Sequence, residues 1–344
     1  MPFLKLNVST RLKRITILIF VENNNCNAMR VYRKQRENYR KMGKGYYHFC
    51  TDGWKDGNIF NTIAQFAYGM MLIGIISVKY PLVIYDFELM PNHIHIILSG
   101  TGANAVEAFL YLKMKLNARL VKDGYNPLPA DYGFVLKPIK SKEQMVTEIL
   151  YLHRNHYEKQ YAAIGGYPWG SAYLHYSLLA KLIDGKRVSE MTARELESLT
   201  GTRIPLPAHW QFHPKLGLLP KSFVDTRMVN KLFYGVKDYS TRLVKDYESF
   251  VTLSRELGEE VEFSDIEIKD ILSKLLLRDY QGKSVYKLSA EEKGRLAVTL
   301  SRRFGISNAD IAQAMHISLH IVSQFVNSKD YGRAAVNAKK AKSV

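Results

Sequence analysis

Met90-Pro91-Asn92-His93-Ile94-His95-Ile96-Ile97 constrains this chain more than any other segment. Isoleucines and histidines alternate after a proline that cannot donate to a β ladder, so a strand begins just past Pro91. Side chains alternate along a strand, which sends Ile94 and Ile96 to one face and His93 and His95 to the other. Such a strand must bury its isoleucine face against other elements and hold two imidazoles together on the opposite face. Neutral imidazole is a common ligand of divalent metals. An isolated His-x-His also arises by chance in a chain with ten histidines, so the flanking elements decide its meaning.

Those elements alternate. Strands are expected at 45–51, 82–88, 94–98 and 133–139, and helices at 61–79, 104–122 and from Ser141 to about 160. Ser141-Lys142-Glu143-Gln144 has the form of a capping box. The order strand–helix–strand–strand–helix–strand–helix predicts an α+β fold, an antiparallel sheet with helices on one face. The apolar run 66–78 is too short and interrupted for a membrane span and reads as a buried helix. No secretory signal is read at Ile15–Val21.

Four regions are expected along the 344 residues: a basic N-terminal arm at 1–44, a catalytic domain at 45–176, a helical accessory region at 177–288, and a helix-turn-helix with a basic tail at 289–344. Ser289, Ser307 and Ser318 each open a helix in the last region, and Gly305 closes the first of them. In the third helix Ile321, Val322, Phe325 and Val326 form an apolar stripe, while His320, Gln324 and Asn327 form a polar face suited to base edges in a major groove. The formal charge of +17 and pI near 9.6 call for a polyanionic partner, with nucleic acid the first candidate. Lys113, Lys115 and Arg119 on the second helix are candidate contacts to a DNA backbone, or the solvated side of that helix. Two cysteines, Cys26 and Cys50, imply no disulfide framework.

The helix after Ser141 carries Met145, Ile149 and Leu152 toward the core. Gln144, Glu148, Tyr151 and Asn155 share another face, so Tyr151 and Asn155 are expected to project together, away from the buried stripe. His48 reads as a sheet residue near the histidine pair rather than a ligand, and His153 lies off the Tyr151 face. His209 and His213 fall in a proline-rich loop, a poor metal site.

Met90–Ile97 resembles the His-hydrophobic-His motif of the HUH single-tyrosine transposases, and Tyr151-Leu152-His153-Arg154-Asn155 resembles the segment bearing their catalytic tyrosine. Tyr167-Pro168-Trp169-Gly170-Ser171 is similar to a Tyr-Pro-Trp-Ser-Ser stretch in the branch associated with repetitive extragenic palindromes, with glycine in place of one serine; His156 stands where that branch has proline. The resemblance covers about residues 45–176. It implies a ferredoxin-like or RRM-like HUH core and a bacterial, nucleoid-associated cytoplasmic enzyme, monomeric or homodimeric, with no membrane partner. It further implies Mg²⁺ or Mn²⁺ on His93 and His95 with Asn155 as third ligand, while the shared helix face makes Glu148 the next candidate. Tyr151 would be the nucleophile that cuts single-stranded, hairpin-bearing DNA through a 5′-phosphotyrosine. Duplex DNA would be met by the helix-turn-helix. The competing expectations are a non-catalytic DNA-binding regulator built on the helix-turn-helix, and a different metal hydrolase using His-x-His.

Overall fold

A computed structural model describes residues 31–54, 57–158, 166–176, 182–243, 247–259 and 263–328. Most of the expected N-terminal arm, including Ile15–Val21 and Cys26, lies outside these residues, as does the basic tail after 328. Of the arm, residues 31–40 are helical.

The sheet is built from β1 (Lys44–Thr51), β2 (Val83–Met90), β3 (His93–Thr101) and β4 (Phe134–Ile139). Helix α1 (Ile63–Lys79) joins β1 to β2, and α2 (Gly102–Lys122) joins β3 to β4. The strands lie in the order β2-β3-β1-β4, every neighbouring pair antiparallel. This is the β-α-β-β-α-β arrangement in which a third strand sits between the two strands of a βαβ unit. The connection between β2 and β3 is the short Pro91-Asn92 turn, where proline interrupts the ladder.

Residues paired across an antiparallel ladder share a face. Phe49 pairs with Ile96 and Leu136, Thr51 with Phe134, and Leu89 with Ile94. On this face Phe109 of α2 stacks on Phe134 at 4.4 Å. Gly69 of α1 lies so close to Phe60 and Leu89 that a Cβ there would meet them at 2.6 and 3.0 Å. Both helices therefore cover the isoleucine face, as the alternation requires.

Helix α1 is apolar on more than one side because a second layer covers it. Residues 182–232 contain a small antiparallel sheet, β5 (Lys186–Arg187), β6 (Gln211–His213) and β7 (Gly217–Leu218), in the order β5-β6-β7. A Cβ on Gly74 would meet Leu218 at 2.3 Å and Phe223 at 3.1 Å. This sheet interrupts the helical region expected over 177–288, and two of its strands fall in the stretch around His209 and His213 that was expected to be proline-rich loop. Strands of two or three residues have no legible period.

The remaining helices are α3 (Lys142–Glu158), α4 (Ala172–Tyr176), α5 (Ala193–Thr200), α6 (Thr226–Asn230), α7 (Val236–Leu243), α8 (Tyr247–Leu257), α9 (Asp265–Asp279), α10 (Ala290–Phe304), α11 (Asn308–Met315) and α12 (Leu319–Asn327). Contacts divide the chain into two units, 1–145 with 165–232, and 146–164 with 233–344. The division crosses α3 after its first turn, so Tyr151 belongs to the second unit and the histidine strand to the first.

In the second unit Ile268, Ile271, Leu296, Ala297, Leu300, Ile311, Met315 and Val322 form one core. Ser289, Ser307 and Ser318 cap α10, α11 and α12 through their hydroxyls. Phe325 and Val326 pack partly against this core, but Ile321 is 40% exposed. The stripe expected for α12 is thus narrower by one residue, because a nine-residue helix meets its neighbours over a limited arc. Among the described residues no helix is long and apolar enough to cross a membrane.

Candidate functional site

The face of the sheet opposite α1 and α2 is polar and buried. His95 pairs with Cys50 on one side and Glu88 on the other. One step along, Ile97 pairs with His48 and Asp86, and His48 with Lys137. A bulge between Ile84 and Asp86 inserts Tyr85 into β2. Tyr85 reaches Ser99 on this face at 3.1 Å. His48, Asp86, Glu88 and His95 are all fully buried.

His93 and His95 lie on one face of β3 as the alternation predicts, their rings 4.7 Å apart and nearly perpendicular. His93 Nδ1 lies 2.7 Å from Asn92 Oδ1. An amide oxygen only accepts, so Nδ1 carries the ring proton and Nε2 the lone pair. His95 Nδ1 lies 3.0 Å from His48 Nε2. His48 thus stands beside the pair, touching the ring that a metal would use. Engagement of one nitrogen by a neighbour fixes tautomer and orientation, as metal-binding histidines require. Imidazoles oriented in this way are of the ligand type that a divalent cation takes. Cys50 and His95 form one close pair of ligand types in this unit and Asp86 and His175 another, each with ligand atoms within 4.8 Å.

The Tyr167–Ser171 stretch runs along the outer edge of β2. Leu89 N donates to Trp169 O at 2.8 Å and Ser171 N to Phe87 O at 3.0 Å. Tyr167 Oη donates to Leu89 O at 2.7 Å. Gly170 bridges Glu88, and a Cβ there would come within 3.1 Å of Phe87 O. Glycine suits this close passage between two backbones.

In the second unit Tyr151 is 3% exposed and Glu148 0%; Asn155 is half-buried. The expectation that this face turns away from the buried side of α3 is corrected: Met145, Ile149 and Leu152 are buried, and so are Glu148 and Tyr151. The phenol hydroxyl donates to the Glu259 carboxylate. His153 Nδ1 meets Tyr239 Oη at 2.9 Å. One helical turn beyond Tyr151, Arg154 Nη2 donates to Glu267 Oε1 at 2.6 Å. Its guanidinium lies 4.5 Å from the Phe250 ring centre and 5.0 Å from that of Tyr247. Glu267 Oε2 meanwhile accepts from Ser264 N, capping α9. A fully desolvated cation needs such a carboxylate and ring faces.

Lys113, Lys115 and Arg119 are partly buried and are bonded within their own unit. Lys113 Nζ donates to Ala130 O and Tyr132 O at 2.9 and 2.7 Å, and burial lowers its pKa. Lys115 Nζ donates to Gly201 O at 3.2 Å. Arg119 Nε donates to Asp123 Oδ2 at 2.7 Å, and its guanidinium lies over the Tyr68 ring. His320, Gln324 and Asn327 are exposed along α12, with Gln324 Nε2 3.0 Å from His320 Nε2.

Sequence reasoning missed Asp86, Glu88 and Cys50 on the histidine face, and His175 beside Asp86. The register and the bulge bring the first three to the histidine face, and neither has a local signature.

No protein-family model and no curated protein matches the chain. Among solved structures it is distantly similar to a REP-associated tyrosine transposase bound to a REP hairpin. The identity is 13% and the TM-score 0.32, over 39% of this chain and 80% of that one.

Proposed function

We propose that the chain nicks and joins single-stranded DNA by transesterification, with Tyr151 as nucleophile and a Mg²⁺ or Mn²⁺ ion on His93 and His95. The observation that carries this reading is the paired imidazoles on one face of β3, each oriented through Nδ1 by Asn92 or His48. Asn155 is the proposed third ligand and Glu148 the second candidate for that place. A bound divalent ion supplies charge neutralisation at a phosphate oxygen.

Tyr151 Oη bonds to phosphorus as the bond from phosphorus to the 3′-oxygen breaks. The product is a 5′-phosphotyrosine and, once the departing 3′-oxygen takes a proton from solvent, a free 3′-hydroxyl. The phenol proton must leave as the new bond forms, and Glu259, which accepts from that hydroxyl, is suited to receive it. The phosphoester is conserved in the covalent bond, so rejoining needs no nucleotide triphosphate. The resemblance of residues 90–97, 151–155 and 167–171 to REP-associated transposases makes a DNA hairpin the proposed recognition element. Lys113, Lys115 and Arg119 would track its backbone by exchanging their present partners for phosphates. Helices α11 and α12 are proposed as a helix-turn-helix, with His320, Gln324 and Asn327 meeting duplex DNA.

A second reading, a DNA-binding regulator without turnover, is favoured by the burial of Tyr151 beside the exposure of the α12 polar residues. The two separate in one assay. Labelled single-stranded hairpins with Mn²⁺ are expected to give an adduct that survives SDS and disappears in Tyr151→Phe. Duplex binding without any adduct supports the regulator.

A further inference from the structure

The histidine face of the sheet opens at one end. Residues paired across the ladders form rows on this face: Glu88–His95–Cys50, then Asp86–Ile97–His48, then Val83–Ser99–Tyr46. His48, Asp86, Glu88 and His95 are fully buried, whereas Tyr46 is 44% and Val83 43% exposed. Tyr46 therefore turns an aromatic ring to solvent on the imidazole face, from the strand next to the one that bears the imidazoles.

That ring is braced from within. Tyr85 packs against it, the ring centres 5.6 Å apart. The bulge between Ile84 and Asp86 supplies Tyr85, and re-aiming a side chain is what a bulge does for a strand. Tyr85 Oη lies 3.1 Å from Ser99 Oγ, which fixes the inner ring. An outer ring already ordered by an inner one loses little freedom when a flat partner stacks on it. The surroundings are cationic. Lys44 lies two residues before Tyr46 on the same face of β1 and is exposed, and Lys137 of β4 shares that face opposite His48. An exposed ring among cations suits an unpaired nucleobase whose phosphates pass the lysines, as does the formal charge of +17.

We propose that Tyr46, backed by Tyr85, is a stacking platform for one unpaired base of the DNA strand whose phosphate is held at His93 and His95. The location of that phosphate rests on the nicking reading. Tyr46 pairs with Ser99, four residues along β3 from His95 and so about 13 Å away. That distance spans about four nucleotides of a stacked strand at 3.4 Å each, and fewer of a stretched one. Every base has a ring face, so the platform contributes register rather than sequence preference. It pins the strand at a set distance from the imidazoles and so selects which phosphate reaches them.

The test is fluorescence anisotropy of the full-length chain with a labelled hairpin carrying single-stranded flanks, in EDTA so that no strand is cut. Tyr46→Ala is expected to weaken binding roughly 5- to 100-fold, the range for one lost base stack, and Tyr46→Trp to preserve it. An abasic site is then moved through the flanks one nucleotide at a time. At one position it should weaken the wild-type chain as Tyr46→Ala does, yet add nothing in Tyr46→Ala, a coupling that general destabilisation does not produce. Equal affinity of Tyr46→Ala and wild type, or abasic losses undiminished in Tyr46→Ala at every position, overturns the proposal. Should the variant not fold, 5-iodouracil placed through the flanks and irradiated on the wild-type chain decides. A crosslink on Tyr46 supports the platform, and crosslinks on other residues alone overturn it. Coupling at Tyr46 without any SDS-stable adduct in Mn²⁺ removes the nicking and keeps the platform. An adduct without the coupling removes the platform and keeps the nicking.

Discussion

His95 shows at the scale of one residue how much a strand's period conveys and where it stops. Alternation alone put His93 and His95 on one face, and the structure keeps them there, 4.7 Å apart. Nothing local announced that Glu88 and Cys50 flank His95, because partnership across strands depends on register. Tyr151 shows the opposite failure. Helical spacing grouped it with Asn155 on a face turned from the core, but burial of the tyrosine follows from packing that no single helix encodes. Arg154 is the most exacting residue nearby. Removing its charge strands Glu267 in an apolar setting, so Arg154→Ala is expected to destabilise the protein by about 3–5 kcal/mol, measured by urea unfolding. A loss near zero would mean the pair is not buried in solution. Asp123 gives a pH prediction. The Arg119 hydrogen bond, with Gln65 adding to it, holds its carboxyl below the ordinary 3.8. A depressed folded value means the contribution is complete above the unfolded pKa and is lost as pH falls through the folded one. NMR titration should therefore place the Asp123 midpoint below 3.8, and Arg119→Gln should raise it.

Helix ends were the most legible elements. Ser289, Ser307 and Ser318 cap the helices their positions predict, and Gly305 ends α10. Gly305 adopts φ 75°, and a Cβ there would meet nothing within 4 Å. The cost of Gly305→Ala is thus one of backbone conformation alone, about 1 kcal/mol. A thermal melt of that variant with an unchanged midpoint would contradict the left-handed cap. The β5-β6-β7 sheet was illegible because its strands are shorter than any period can register. It accounts for the apolar second side of α1, which the sequence showed only as an apolar run that reads as a buried helix.

Across the whole molecule, charge and chemistry are distributed over two units. The first holds the histidine face and the second holds Tyr151 with its Glu259 partner. With a formal charge of +17, affinity for single-stranded DNA is expected to fall steeply with salt. A protein making 6–10 phosphate contacts loses roughly 10³–10⁵ in affinity to duplex DNA between 50 and 200 mM salt, and somewhat less to a single strand. Fluorescence anisotropy across that range checks it, and a flat profile would remove nucleic acid as the polyanion. The proposed reaction requires both the phenol and the imidazole pair. Mass spectrometry of the peptide left joined to a cleaved hairpin tests it most directly. A nucleotide phosphate is expected on Tyr151, with the yield collapsing in His93→Ala/His95→Ala. A nucleotide on any other residue, or an undiminished yield in that double variant, would contradict it.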